Sequence, residues 1–229
     1  MKINISTQNF QARNPNIRQA DRICRMVNTT APSLSPSRIM GEALLHQNAK
    51  IYNIAKILQK KLEKIVRDPG FNYADKNNNP EFYKFFVSAL KKAKVANCGE
   101  KARLASLICA VNGIESQIAS LWSVTKNLSL DQDLDHAILI ITPSNERFNC
   151  NILQNMNDKI IIDPWFGIAD YGNNIIPEYK KYFERFKNVD KKLENIDEMN
   201  YAVFSKETIS NKNTEILRKI FPEFIIDKK

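Results

Sequence analysis

An α+β fold, with helices packed on an antiparallel sheet, follows from three features of the sequence. Helical spacing of apolar residues runs through the chain as far as residue 112. Between residues 114 and 163 the pattern changes to short β-branched runs. Helical spacing then returns near Pro177 and again at 215–221. Helices, then strands, then helices is the order of an α+β domain, because no βαβ alternation calls for a parallel sheet.

The 229 residues are 43% apolar and 26% charged. That balance excludes a disordered chain, a collagen and a bare disulfide scaffold. No apolar run approaches the ~20 residues of a membrane-spanning helix.

In chain order, residues 1–14 read as a polar arm. Ile17, Ala20, Ile23, Cys24 and Val27 fall on one helical face, which predicts a helix over 16–28. Residues 29–37, rich in Thr, Ser and Pro, read as a linker. Leu44, Ile51, Ala55, Leu58, Leu62 and Ile65 form one stripe of a long helix over 38–67, stopped by Pro69 and Gly70. Pro80 suits the first position of a helix over 80–95, and a fourth helix over 98–112 ends at Gly113. Strands are predicted at 114–124, 136–142 and 159–163. The expected division is an N-terminal segment, 1–37, and a catalytic domain, 38–229. If residues 1–37 serve only as an export or targeting segment, their removal is expected to spare the chemistry.

The net charge is +9, and residues 1–68 carry nearly all of it, with 12 Lys/Arg against 4 Asp/Glu. This is either a solvated helix face or a dock for an acidic partner or an anionic membrane. Nucleic acid is not expected, since neither zinc-finger spacing nor an aromatic RNA-binding signature is present. The four cysteines are expected to be reduced, and neither a metal nor a cofactor is expected. Asp131, Asp133 and Asp135 have a spacing similar to a calcium loop, but His136 stands where glycine is needed and Thr142 where glutamate is needed, so that site is rejected. Twenty-six asparagines against six glycines suggest an AT-rich, bacterial genome.

The residues that carry chemistry lie in three short stretches. Asn97-Cys98-Gly99-Glu100 opens a helix with capping-box spacing, which makes Cys98 its first helical residue. The positive end of a helix favours a thiolate, and the thiolate is the nucleophile. Cys109 and Cys24 sit among apolar residues and read as inert core thiols, while Cys150 cannot be placed. His136 opens an apolar strand, and Asp163 closes another before Pro164 and Trp165. Each alone reads as a satisfied structural residue. If the two strands pair antiparallel with His136 opposite Asp163, the carboxylate can orient the imidazole, as a Cys-His-Asp triad requires.

Asn97-Cys98-Gly99-Glu100, Asp135-His136-Ala137 and Ile162-Asp163-Pro164-Trp165 together resemble the papain-like and transglutaminase-like cysteine hydrolases. The likeness is to bacterial toxin and effector glutamine deamidases, of the kind found as a domain of Pasteurella multocida toxin, and it covers roughly residues 80–170. It implies a papain-like core, Cys98 as nucleophile, His136 as general base and acid, Asp163 as its orienter, and Trp165 as a wall against substrate. Two features depart from papain-type proteases. Lys92 stands where they carry an oxyanion glutamine, and no aromatic residue follows Cys98. The oxyanion donor is therefore unassigned beyond the Cys98 backbone N–H.

The expected function is deamidation of a host-protein glutamine through a thioester, by a bacterial effector. Alternatives are a cysteine protease or transglutaminase using the same triad, and a non-catalytic interaction module. The N-terminus lacks the apolar stretch of a Sec-type signal peptide. Delivery by an injection system is the expectation, and residence in the bacterial cytoplasm otherwise.

Overall fold

The structure is a computed structural model that describes residues 15–31, 34–67, 79–124, 135–142, 156–185, 200–207 and 213–226. The expected polar arm, the acids at 131 and 133, most of the 143–157 loop and Cys150 lie outside these residues.

The fold is α+β. Helices α1 (Pro15–Thr30), α2 (Pro36–Leu45), α3 (Ala49–Leu62), α4 (Pro80–Ala93) and α5 (Cys98–Val111) precede the sheet. Strands β1 (Ser116–Val124), β2 (Asp135–Ile141), β3 (Ile160–Asp163) and β4 (Ile168–Tyr171) follow, then α6 (Gly172–Glu184), β5 (Asn200–Glu207) and α7 (Thr214–Ile220). All strand pairs are antiparallel, in the order β4-β3-β2-β1-β5.

The two faces of the sheet bury different helices. Ala137, Leu139, Ile160 and Ile162 pack toward α1, α4, α5 and α7, in one core. Ile138, Ile140 and Ile161 alternate with them and pack on the other side, against Ile175 and Tyr179 of α6. Both faces are covered, so β2 and β3 read as unbroken apolar runs. Helix α5 is central: from Glu100 to Val111 all but Arg103 are buried. This pins its first residue, Cys98, against a rigid body.

Three expectations are corrected here. The predicted helix over 38–67 is broken at 46–48, where Gln47 takes φ +48° and the Asn48 side chain caps α3 by accepting from Ile51 N at 3.1 Å. The break turns Leu44 and Ile51 out to solvent, while Ala55 and Leu62 stay buried. Next, residue 37 is not a structural boundary. Ile17, Ala20, Ile23, Cys24 and Val27 of α1 belong to the same core as α5 and β3, so removal of 1–37 would strip that core rather than spare it. Last, α6 begins at Gly172, five residues before the expected Pro177, which lies inside the helix. Strands β4 and β5 were not predicted.

Gly172 explains that early start. It follows β4 without a loop, and its N–H donates to Lys159 O at 2.9 Å. A Cβ there would lie 2.0 Å from the Met156 carbonyl oxygen, a backbone atom that has little room to move. Gly172→Ala is expected to destabilise by about 2–3 kcal/mol. A thermal melt should show a Tm fall of roughly 5–10 °C for a chain this size. Gly99→Ala is the control, since a Cβ at Gly99 meets nothing within 4 Å.

Candidate active site

β2 begins and β3 ends at the same end of the sheet, and the N-terminus of α5 arrives there. This brings together the three residues expected to form a triad. The His136 Nε2–H donates to Asp163 Oδ2 at 2.6 Å, and the His136 ring is hydrogen-bonded to the Cys98 side chain. With Nε2 engaged by the carboxylate, Nδ1 is the nitrogen left to face the thiol.

The strand register that achieves this differs from the expected one by two residues. Leu139 pairs with Ile162 and Ile141 with Ile160, so position 138, not 136, falls opposite Asp163. A shift of two keeps both side chains on the α6 face of the sheet. His136 and Asp163 are therefore diagonal neighbours, close enough for an imidazole to span. The ladder stops at Asp163 because the chain turns at 164–167, where Gly167 takes φ +78° and its N–H returns to Asp163 O at 2.8 Å.

Asp163 is fully buried and its carboxylate is saturated with donors. Oδ1 accepts from the backbone N–H groups of Trp165 at 3.0 Å and Phe166 at 3.1 Å. Oδ2 accepts from the Tyr179 hydroxyl at 2.7 Å as well as from His136. Burial alone would raise its pKa, but the His136 charge and these hydrogen bonds hold it below its ordinary 3.8. Conversely, burial would lower His136, but the Asp163 charge and hydrogen bond, joined by the contact with Cys98, carry it from 6.5 up to about 10. The two shifts describe one ion pair.

The pair has a signed pH dependence. The stability it adds through His136 is fully present below 6.5 and is lost as pH rises through about 10. Through Asp163 it is present above 3.8 and lost on further acidification. Thermal melts should therefore show a plateau between these limits and a fall toward pH 10. Cys98-dependent amide cleavage, which needs a proton for the leaving group, is expected to fail on the same alkaline limb. Alkylation of Cys98, which needs no proton donor, is expected to persist there.

Among the described cysteines, Cys98 alone is partly exposed. Cys24 and Cys109 are buried, and burial pushes each thiol up to about 12, in Cys24 with help from the Asp163 charge. Both are inert in neutral solution, as the sequence suggested.

Trp165 stands over the imidazole, with ring centroids 5.1 Å apart, and it is half-buried. Its Nε1–H donates to Ser35 Oγ at 2.6 Å, and the Arg38 guanidinium bonds its carbonyl at 3.2 Å. Ser35 Oγ and the Ser37 N–H and Oγ in turn donate to Asn97 Oδ1 at 3.1–3.2 Å. The Asn97 amide also donates to Gln59 Oε1 at 2.9 Å, and its backbone N–H to Glu100 Oε2 at 3.0 Å, one half of the expected capping box. The stretch read as a linker is thus a brace. It holds the residue before Cys98 and the indole beside His136 in one network.

Tyr179, Ser35 and Lys101 are site residues that the sequence did not reveal. Lys101 is buried one turn into α5, with Nζ bonded to Asn28 Oδ1 at 2.8 Å and to Pro164 O at 3.3 Å. Burial lowers its pKa to about 8 against the opposing pull of Asp163. It ties α1 to the turn that carries Asp163. A lysine amid Ala102, Leu104 and Ala105 was a visible anomaly, whereas Tyr179 carried no signal, being sixteen residues and one strand beyond its partner.

No protein-family model matches the chain, and no curated protein or solved structure shows significant similarity to it.

Proposed function

We propose that the chain is a cysteine-dependent amide hydrolase that deamidates a glutamine side chain of a host protein. One observation carries this reading: a partly exposed thiol at a helix N-terminus, bonded to an imidazole whose far nitrogen is held by a buried, fully bonded carboxylate. That is the order of groups nucleophilic amide chemistry needs.

Cys98 sulfur attacks the amide carbon as the thiolate, its proton already held on Nδ1 of the His136 imidazolium that Asp163 stabilises. The carbonyl oxygen gains the electron pair, facing the N–H groups of the first turn of α5, which have no acceptor within the helix. His136 then protonates the nitrogen, the C–N bond breaks, and ammonia leaves a thioester on Cys98. Water, deprotonated by His136, hydrolyses the thioester to glutamate and restores the thiol. Asp163 keeps the imidazole turned with Nδ1 toward sulfur and stabilises its charge throughout. Trp165 walls the side from which substrate enters. Lys92 and the lack of an aromatic after Cys98 favour a side-chain amide over a peptide bond, on the likeness described above. We also infer that the protein is a bacterial effector that meets its substrate in a host cell.

The test is mass spectrometry of a eukaryotic lysate treated with wild-type protein or with Cys98→Ala. Glutamines converted to glutamate only by the wild type are the expected result and identify the target. New N-termini in their place would make the chain a protease. No Cys98-dependent change of either kind would count against an enzyme.

A further inference from the structure

The break at residues 46–48 leaves α3 with an outer face that stays exposed. α3 packs on α2 and on the turn at Glu63–Arg67 that follows it. Its inner side buries Ala55 and Leu62. On the outer side Ile54 and Ile57, neighbours at helical spacing, are 47% and 67% exposed, and Leu44 of α2 and Ile51 of α3 are also exposed, at 49% and 42%. Scattered exposed aliphatics are ordinary, but a contiguous group is not.

The charges around these residues identify what the face fits. At helical spacing Lys50, Ile54, Ile57 and Lys61 form one row, and Lys60 stands beside Ile57. All are exposed. Glu63 accepts a hydrogen bond from the Gln59 side chain, toward the opposite flank, and Glu42 of α2, which lines a pocket with Ile51, is paired with Arg185. Among the described residues, the row of Lys50, Ile54, Ile57 and Lys61 therefore mixes cations with aliphatic side chains and holds no carboxylate. A protein partner would favour a dry apolar centre, from which lysine is depleted. Lysines interleaved with isoleucines instead match a surface that is anionic at its head and apolar just beneath. There the isoleucines enter the acyl boundary and the lysine stems extend back to the phosphates.

We propose that the outer face of α3 is a docking surface for an anionic phospholipid bilayer, on which the helix lies in the plane of the headgroups. This surface is distinct from the Cys98 site, which α3 meets through Gln59 on another flank.

The test is co-sedimentation with vesicles of phosphatidylcholine alone or with about 30% phosphatidylserine, a composition that attracts basic segments. The variants are Ile54→Asn/Ile57→Asn and Lys60→Glu/Lys61→Glu. Wild-type protein is expected to pellet with anionic vesicles and not with neutral ones, less so as salt rises. Each double variant is expected to lower partitioning about tenfold or more. All four positions are exposed, so thermal melts should be unchanged, and the rate of Cys98 alkylation should be unchanged as well. Equal pelleting on neutral vesicles, no pelleting on anionic ones, or variants that bind like wild type would overturn the proposal. So would a concentration-dependent dimer that the same variants abolish, which would assign the face to a second copy of the chain.

Discussion

Asp163→Asn is expected to abolish the chemistry and to weaken the fold together. The carboxylate accepts from four donors, two on each oxygen. An asparagine offers one oxygen and one NH2 group in the same space. If the oxygen keeps the Trp165 and Phe166 N–H groups, the NH2 group points at Tyr179 and His136. The tyrosine hydroxyl can rotate to accept, but His136 can then meet the amide only through an unprotonated Nε2. Its single proton moves to Nδ1, and the imidazole can no longer take the proton from Cys98. The expected loss in turnover is about 10³–10⁴-fold, the scale on which a wrong imidazole tautomer acts. The His136 pKa should also fall once the adjacent charge is gone, which titration by NMR would register. Exchanging the buried ion pair for a neutral hydrogen bond costs about 1–3 kcal/mol. A melt that is unchanged, or turnover that is unchanged, would each contradict the geometry.

The candidate triad was legible because each of its members sits at an element boundary. Asn97, Glu100 and the apolar residues after them mark a helix start, so Cys98 could be placed at its first turn. The runs at 136–142 and 159–163 were unmistakable strands, and an acid or a histidine at the end of such a run calls for a partner. The register was not legible to within two residues. It depends on where the turn at 164–167 ends the ladder, and the sequence offers several turn formers there. Parity alone survived the shift, and parity was enough to keep His136 and Asp163 on one face.

What could not be read is mostly the bracing. The break at Gln47 was hidden because Leu44 and Ile51 keep helical spacing across it. The composition of the stretch after helix α1 separates it from the domain, although Ile17, Ile23 and Val27 mark a buried face. Ser35 and Ser37 looked like linker residues, and only the fold brings them to Asn97 and Trp165. Tyr179 reaches Asp163 through the packing of α6 on the sheet, a long-range event without a local pattern. Strand β4 is four residues long, too short to carry a period.

The second large effect is expected at Cys98 and should be confined to chemistry. Its side chain is half-buried at the first position of α5, outside the closely packed part of the core. Cys98→Ala should remove turnover by about 10⁴-fold or more, because attack on the amide has no other nucleophile. The melt should move by no more than about 2 °C, as for a partly exposed substitution. A large loss of stability would instead make Cys98 a structural thiol and leave the triad without its first member.

Whether Cys98 is activated by His136 is the claim on which all of this rests, and the rate of carboxamidomethylation measures it. Wild-type protein, Cys98→Ala and His136→Ala would be treated with iodoacetamide near neutral pH, and each cysteine followed by peptide mass spectrometry. Rapid modification of Cys98, slow modification of Cys24 and Cys109, and at least a tenfold slower reaction of Cys98 in His136→Ala are expected, on the ground that thiolate supply controls the rate. Modification of Cys98 at the same rate with and without His136, in proteins of equal stability, would contradict it.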